Sequence, residues 1–213
     1  MDKVFSKVFM WLFIGLALTF GVAYTVSTNE AMVYNLFGDG KYLFVWIAEL
    51  VVVIVLSLRI RKMSSMTATI LYLLYSGLTG LTLSSIFIIY AITSIIWVFA
   101  ITAGLLLIFG LIGYFTNLDL TKIGTFLIMG LLGVLLAYLV NVFIGSESLD
   151  MGLSVISIII FLGFIAYDMQ VIKRNIYTIE DENNRAIYGA FQLYLDFINI
   201  FLDLLKLFGN SRD

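Results

Sequence analysis

The sequence predicts an all-helical membrane protein whose chain crosses the bilayer seven times. Three observations carry that expectation. Hydrophobic residues make up 62% and charged residues 12% of the 213, with a mean hydropathy of +1.08; soluble domains lie near ~45–50% apolar and ~25% charged. The apolar residues gather in seven runs, each close to the ~20 residues that a hydrocarbon core requires. Small residues recur at helical spacing (Gly77, Gly80 and Ser84; Gly110 and Gly113; Gly130 and Gly133), as helices need for close approach in lipid. One bundle-sized domain, residues 1–213, accounts for the length.

The spans are expected at about Val8–Ser27, Tyr42–Leu58, Ala68–Tyr90, Ile92–Tyr114, Ile123–Ile144, Leu153–Ile172 and Ile187–Phe208. Lys3 and Lys7 before the first run resemble a signal peptide, but the run is long and lacks an A-x-A site, so it reads as a retained helix. Arg59, Arg61 and Lys62 close the second span. The third and fourth have no charge between them; Ala68–Tyr114 holds 47 residues, too many for one crossing, and a tight turn is placed near Ala91–Ser94. Lys122 precedes the fifth span. Glu147 and Asp150 precede the sixth, and Lys173 and Arg174 follow it.

Orientation follows from the distribution of Lys and Arg. Lys3, Lys7, Arg59, Arg61, Lys62, Lys122, Lys173, Arg174 and Arg185 fall on one side, nine in all, against Lys41, Lys206 and Arg212, three, on the other. The N-terminus is therefore expected in the cytoplasm and the C-terminus outside, with the acidic connections Glu30–Asp39 and Glu147–Asp150 also outside.

Composition also excludes classes. A formal charge of −2 offers no basic patch for nucleic acid. Cysteine is absent, so there are neither disulfides nor thiolate metal sites. Histidine is absent too, so a pH response near neutrality has to come from carboxyl groups in unusual surroundings. There is no His-Glu-x-x-His, no glycine-rich phosphate loop and no Ser/His or Cys/His pair. Intramembrane aspartyl proteases also use two membrane aspartates, with glycine beside the catalytic one; Tyr167-Asp168-Met169 and Leu195-Asp196-Phe197 lack that neighbour, which leaves a protease open as the last of the alternatives. Neither an enzyme nor a cofactor is expected.

The last span is the informative one. It carries Asp196, Asn199 and Asp203 at i, i+3 and i+7, on one helical face. A carboxylate at membrane depth costs roughly 2.5–3.5 kcal/mol unless it meets protein or water. Asp168, near the cytoplasmic end of the sixth span, lies within ~8 Å of Asp196 in depth by the ~1.5 Å rise per residue. Glu49, mid-span two, and Asp203 sit further out, so the carboxylates form a ladder. Close carboxyl groups in a low-dielectric site cannot both ionise easily and titrate as a coupled pair. Carboxylate and amide oxygens are also what Ca²⁺ takes as ligands, which makes Asp168 and Asp196 a weak Ca²⁺ site.

Plainer roles stand beside these. Asp168 and Asp196 would serve equally as a structural clamp between spans. Arg59 and Arg61 would serve as snorkelling anchors, Glu49 as a helix contact, and Asp203 as a partner for Lys206 at i+3. Glu180–Asp181–Glu182 reads as a solvated loop, and Tyr24, Trp46, Trp97, Tyr114 and Tyr138 as interfacial or packing aromatics.

Two motifs carry a resemblance. Leu193-Tyr194-Leu195-Asp196-Phe197-Ile198-Asn199-Ile200-Phe201, followed by Leu204-Leu205-Lys206-Leu207-Phe208-Gly209, resembles the C-terminal signature of the Bax inhibitor family (transmembrane Bax inhibitor motif proteins). Ala166-Tyr167-Asp168-Met169-Gln170-Val171-Ile172 is similar to that family's sixth-helix motif. Leu56–Ser64 and Gly77–Phe87 fit it too. The resemblance implies seven helices with the C-terminal one central, surrounded by the other six. It implies a pH-sensitive calcium leak in a bacterial plasma membrane, with Asp168 and Asp196 as sensor and Arg59 or Arg61, Arg59 preferred, as a latch on Asp168. Beside the resemblance, on spacing and depth, Glu49, Asn199 and Asp203 are expected to line the ion path; Asp203 is not part of the family motif, and its role rests on helical spacing alone. The expected partners are the lipid bilayer, Ca²⁺ and protons, and the expected state a monomer. A proton-coupled secondary transporter and a non-transport regulator acting through protein partners are the alternatives.

Overall fold

The computed structural model describes residues 2–38, 40–175 and 181–212, and they are overwhelmingly α-helical. Asp39 and Glu180, named above within acidic connections, lie outside the described residues. Eight α-helices follow in order: α1 Asp2–Ser27, the short α2 Glu30–Val33, α3 Lys41–Arg59, α4 Ser65–Ile89, α5 Ile92–Phe115, α6 Thr121–Ile144, α7 Glu147–Asn175 and α8 Glu182–Phe208. A π-helical turn, Tyr34–Gly38, precedes α3, and a 3₁₀ turn, Ile60–Lys62, follows it.

Local chemistry sets the boundaries. Asn29 caps α2 by accepting from the Met32 amide at 3.1 Å, and Ser64 caps α4 by accepting from the Thr67 amide at 3.2 Å. Past the end of α6, the Asn141 side chain bonds both the amide and the carbonyl of Ser146, at 3.1 Å each. The break between the third and fourth spans falls at Tyr90–Ala91, slightly before the expected Ala91–Ser94, where Tyr90 pairs with Ser211 in an isolated antiparallel bridge. α7 outlasts its apolar run at both ends. Glu147 and Asp150 in its first turn and Lys173 and Arg174 in its last complement the helix dipole.

Among the described residues, six helical segments are long and apolar enough to cross a membrane: Lys3–Ser27, Lys41–Lys62, Ser65–Ile89, Ile92–Phe115, Thr121–Ile144 and Glu147–Arg174. α8, expected as the seventh, has 27 residues but is not among them; Asp196, Asn199, Asp203 and Lys206 interrupt its apolar run. Its burial is of another kind. Ile187, Ala190, Phe191, Leu193, Tyr194, Ile200 and Phe201 are inaccessible, whereas α6 turns Phe126, Leu136, Leu139 and Phe143 outward. Large apolar side chains exposed along a helix suit lipid as solvent.

The chain divides into two compact units, one of Met1–Ala91, Ile176–Tyr194 and Ser211–Asp213, the other of Ile92–Asn175 and Leu195–Asn210. In the first, α1 packs along α4, and α3 along the same helix. A Cβ at Gly80 would lie 2.6 Å from the Thr19 carbonyl oxygen, so the α1–α4 approach requires glycine there. Tyr72, Tyr75 and Phe191 surround Tyr194 or each other edge to face at 5.7–5.8 Å. In the second, α7 packs against α5 and α6. A Cβ at Gly113 would overlap the Ala166 carbonyl oxygen, while Phe99 meets Phe197 at 5.1 Å. Gly77 and Gly133 have open space where a Cβ would stand, so the expected small-residue contacts form at only some of those positions.

Candidate functional site

The second unit brings together the two acids expected to meet. Asp168 on α7 is 5% exposed and Asp196 on α8 is 4% exposed, and their carboxyl groups lie within hydrogen-bonding reach. Oδ2 of Asp196 is buried with no hydrogen-bond partner among the described residues. The flanking Met169 and Phe197 are buried as well, Met169 against Gly110 and Phe197 against Phe99. Water is thus largely excluded, and the charge on one carboxyl governs that on the other. Two residues along α7, Gln170 donates to the Leu118 carbonyl at 2.7 Å and accepts from the Leu120 amide at 3.0 Å. This fixes the α5–α6 connector to α7.

Further along the same contact lies Asp203. Its Oδ1 accepts from the Tyr138 hydroxyl on α6 at 3.3 Å; that hydroxyl also pairs with Ser154 of α7 at 3.1 Å, and Ser157 of α7 stands near the carboxylate. Ser154 and Ser157 precede Asp168 while Asp203 follows Asp196, so α7 and α8 run antiparallel with one polar seam between them. Lys206 pairs with Asp150 of α7, with its ammonium 5.1 Å from the Tyr138 ring centroid. The expected i+3 ion pair with Asp203 is replaced by this partner, because Asp150 sits at the end of the seam. Asn199 donates to its own helix, to the Leu195 carbonyl at 2.7 Å.

Glu49, half-buried on α3, belongs to the first unit. Thr79 donates to its Oε1 at 2.8 Å and Thr82 to its Oε2 at 2.9 Å, both from α4. Tyr75 and Tyr194 are near enough to feel its charge. Tyr194 in turn pairs with the Thr19 hydroxyl at 2.6 Å, and Thr19 donates to the Ser76 carbonyl at 2.9 Å. A hydroxyl-lined network therefore lies inside this unit.

Arg59, at the end of α3, and Arg61, in the turn that follows it, differ in their surroundings. Arg61 donates to the Tyr188 hydroxyl at 2.5 Å and lies 4.5 Å from that ring's centroid, which anchors α8. Arg59 is exposed at the end of α3. Asn184 donates to the Met63 carbonyl at 2.6 Å, and Lys7 pairs with Glu182 at 2.9 Å. In the connectors, the Thr121 hydroxyl and amide, joined by Arg174 at 2.6 Å, pull the Asp119 carboxyl down to about 2. The Lys7 hydrogen bond holds Glu182 below the usual carboxylate range.

Sequence reasoning missed the partners: Thr79 and Thr82 for Glu49, Ser154, Ser157 and Tyr138 for Asp203, and Asp150 for Lys206. One signal was present, since Ser154 and Ser157 stand at i, i+3 in an otherwise apolar stretch of α7. Among the described residues no three acidic side chains gather as a metal-binding group.

The family described as "Inhibitor of apoptosis-promoting Bax1" matches residues 1–213. The chain is 45% identical to the inner membrane protein YbhL of Escherichia coli K12 over 213 residues, 97% of this chain and 91% of that protein. It is 42% identical to an uncharacterized protein of Borreliella burgdorferi, covering 100% and 94% of the two chains. An uncharacterized membrane protein of Streptococcus pyogenes serotype M1 is 34% identical, over 99% and 94%.

Proposed function

This chain belongs to the Bax inhibitor family, and we propose that it is a passive, pH-sensitive leak for Ca²⁺ in a bacterial plasma membrane. One observation carries the reading: two buried carboxyl groups on neighbouring helices, Asp168 and Asp196, within reach of each other in a chain without histidine. Acids at membrane depth mark ion or proton pathways. The pair is the sensor, and Arg59 is the latch on Asp168. That choice is supported by the engagement of Arg61 with Tyr188.

Protonating the pair weakens its hold on Arg59 and opens a path past Glu49, Asn199 and Asp203. Ca²⁺ is the substrate, passed along single carboxylates and hydroxyls instead of being held in the ~6–8 oxygen shell of a storage site. The protein works as a seven-helix monomer with α8 central, N-terminus cytoplasmic and C-terminus outside, and it is not an enzyme. The deep burial of α8 supports its central place, and the nine-to-three division of Lys and Arg supports the orientation.

Ca²⁺ entry into dye-loaded proteoliposomes, followed against pH, tests the reading. Wild type should leak with a pH-dependent rate, and Asp168→Asn and Asp196→Asn should each remove most of that dependence. Equal pH profiles in all three would overturn the sensor. Saturable uptake that requires a proton gradient would replace the leak with a coupled transporter.

A further inference from the structure

The Asp203 end of the second unit contains one mobile-length cation and two carboxylates that compete for it. Lys206 stands at i+3 from Asp203 on α8, a spacing at which side chains on a helix meet. Yet its ammonium is drawn to Asp150 on α7 and over the Tyr138 ring. Asp203 is left to the Tyr138 hydroxyl, which pairs in turn with Ser154, with the Ser157 hydroxyl and the Lys206 charge near enough to act on it. Such a group of hard oxygens is what a divalent cation accepts on its way through. An ammonium swung onto Asp203 would fill the same place with a charge that cannot leave.

We propose that Lys206 is a tethered plug: parked on Asp150 it leaves the Asp203 oxygens free for a passing cation, and turned onto Asp203 it closes them. Asp150 and Tyr138 are the parking place, and the balance between two carboxylates sets how often the path is open. Both states keep Lys206 paired, so the exchange never exposes a bare ammonium to an apolar environment.

The inference rests on the leak reading, and its test separates the two. Ca²⁺ flux is measured in proteoliposomes at a fixed permissive pH, with monodispersity and thermal midpoint recorded for every variant. Lys206→Met removes the plug and should raise flux roughly tenfold, the effect of lifting a barrier of ~1.4 kcal/mol. Asp150→Asn removes the parking place, drives Lys206 onto Asp203 and should lower flux by a similar factor. Lys206→Arg keeps the charge and should stay well below the methionine variant.

A merely structural ion pair predicts that the first two move together, and that result, or no change in either, overturns the plug. Should Lys206→Met fail to fold, the Asp150→Asn arm decides, with unchanged or increased flux refuting the proposal. Wild-type flux with unresponsive variants defeats this inference alone. No flux above protein-free liposomes in wild type or Lys206→Met defeats the leak reading as well.

Discussion

Asp196 presents its carboxyl to that of Asp168 across the α7–α8 contact, with one oxygen left buried and unpartnered among the described residues. Groups so placed respond as one unit, and their substitutions should not add. Asp168→Asn and Asp196→Asn are each expected to remove most of the pH dependence of Ca²⁺ flux, and the double variant to remove little more. The pH–flux profiles of the four proteins, compared as a double-mutant cycle, check this. Additive losses would mean that the two acids act separately.

Glu49 relies on Thr79 and Thr82, each donating to a different oxygen. Valine keeps the shape of threonine while deleting the donor, and a partly buried acceptor without a partner costs about 1–3 kcal/mol. Thr79→Val and Thr82→Val should each lower thermal stability in detergent, the double variant further. Glu49→Gln should be better tolerated, because its carbonyl still accepts one of the two bonds. Melting curves by intrinsic fluorescence report both effects.

The contact at Gly113 has no room for a methyl group, since a Cβ would overlap the backbone of Ala166. Overpacking of this kind typically costs ~1–3 kcal/mol, more where backbone must move. Gly113→Ala is expected to lower the melting point, whereas Gly133→Ala, facing open space, should be close to neutral. Equal stability of the two would refute the close α5–α7 approach.

Asp119 titrates far from neutrality. Its folded value of about 2 lies below the ordinary Asp value of 3.8. What it contributes is present above the ordinary value and lost as pH falls through the folded one. The Asp119–Arg174 contact should therefore persist down to about pH 4 and fade toward pH 2. Asp119→Asn should leave the pH midpoint of Ca²⁺ flux where wild type has it; a displaced midpoint would move the sensor away from the buried pair.

Much of this arrangement could be read along the chain. Hydropathy is a one-dimensional signal, and a bilayer imposes the length it reports, so the ends of α3, α5 and α6 fall within two residues of the expected limits. The face shared by Asp196 and Asp203 follows from helical period alone. Partner choice does not: Lys206 has an acid one turn away in sequence and takes Asp150 instead, a choice made by how α7 packs. Tyr138 reads as an aromatic by composition, and only its hydroxyl's neighbours reveal a polar role. The same limit explains Gly80 and Gly133, alike in spacing and unlike in what stands opposite.

Gln170 holds the connector between α5 and α6 from both sides, through the Leu118 carbonyl and the Leu120 amide. A twist of α7 about its own axis, enough to re-aim Asp168, must either drag that connector with it or tear two hydrogen bonds. The surface loop is therefore geared to the acid below it. A fluorophore attached at Asn117, in a chain free of competing thiols, would register from the aqueous side what happens to the carboxyl pair.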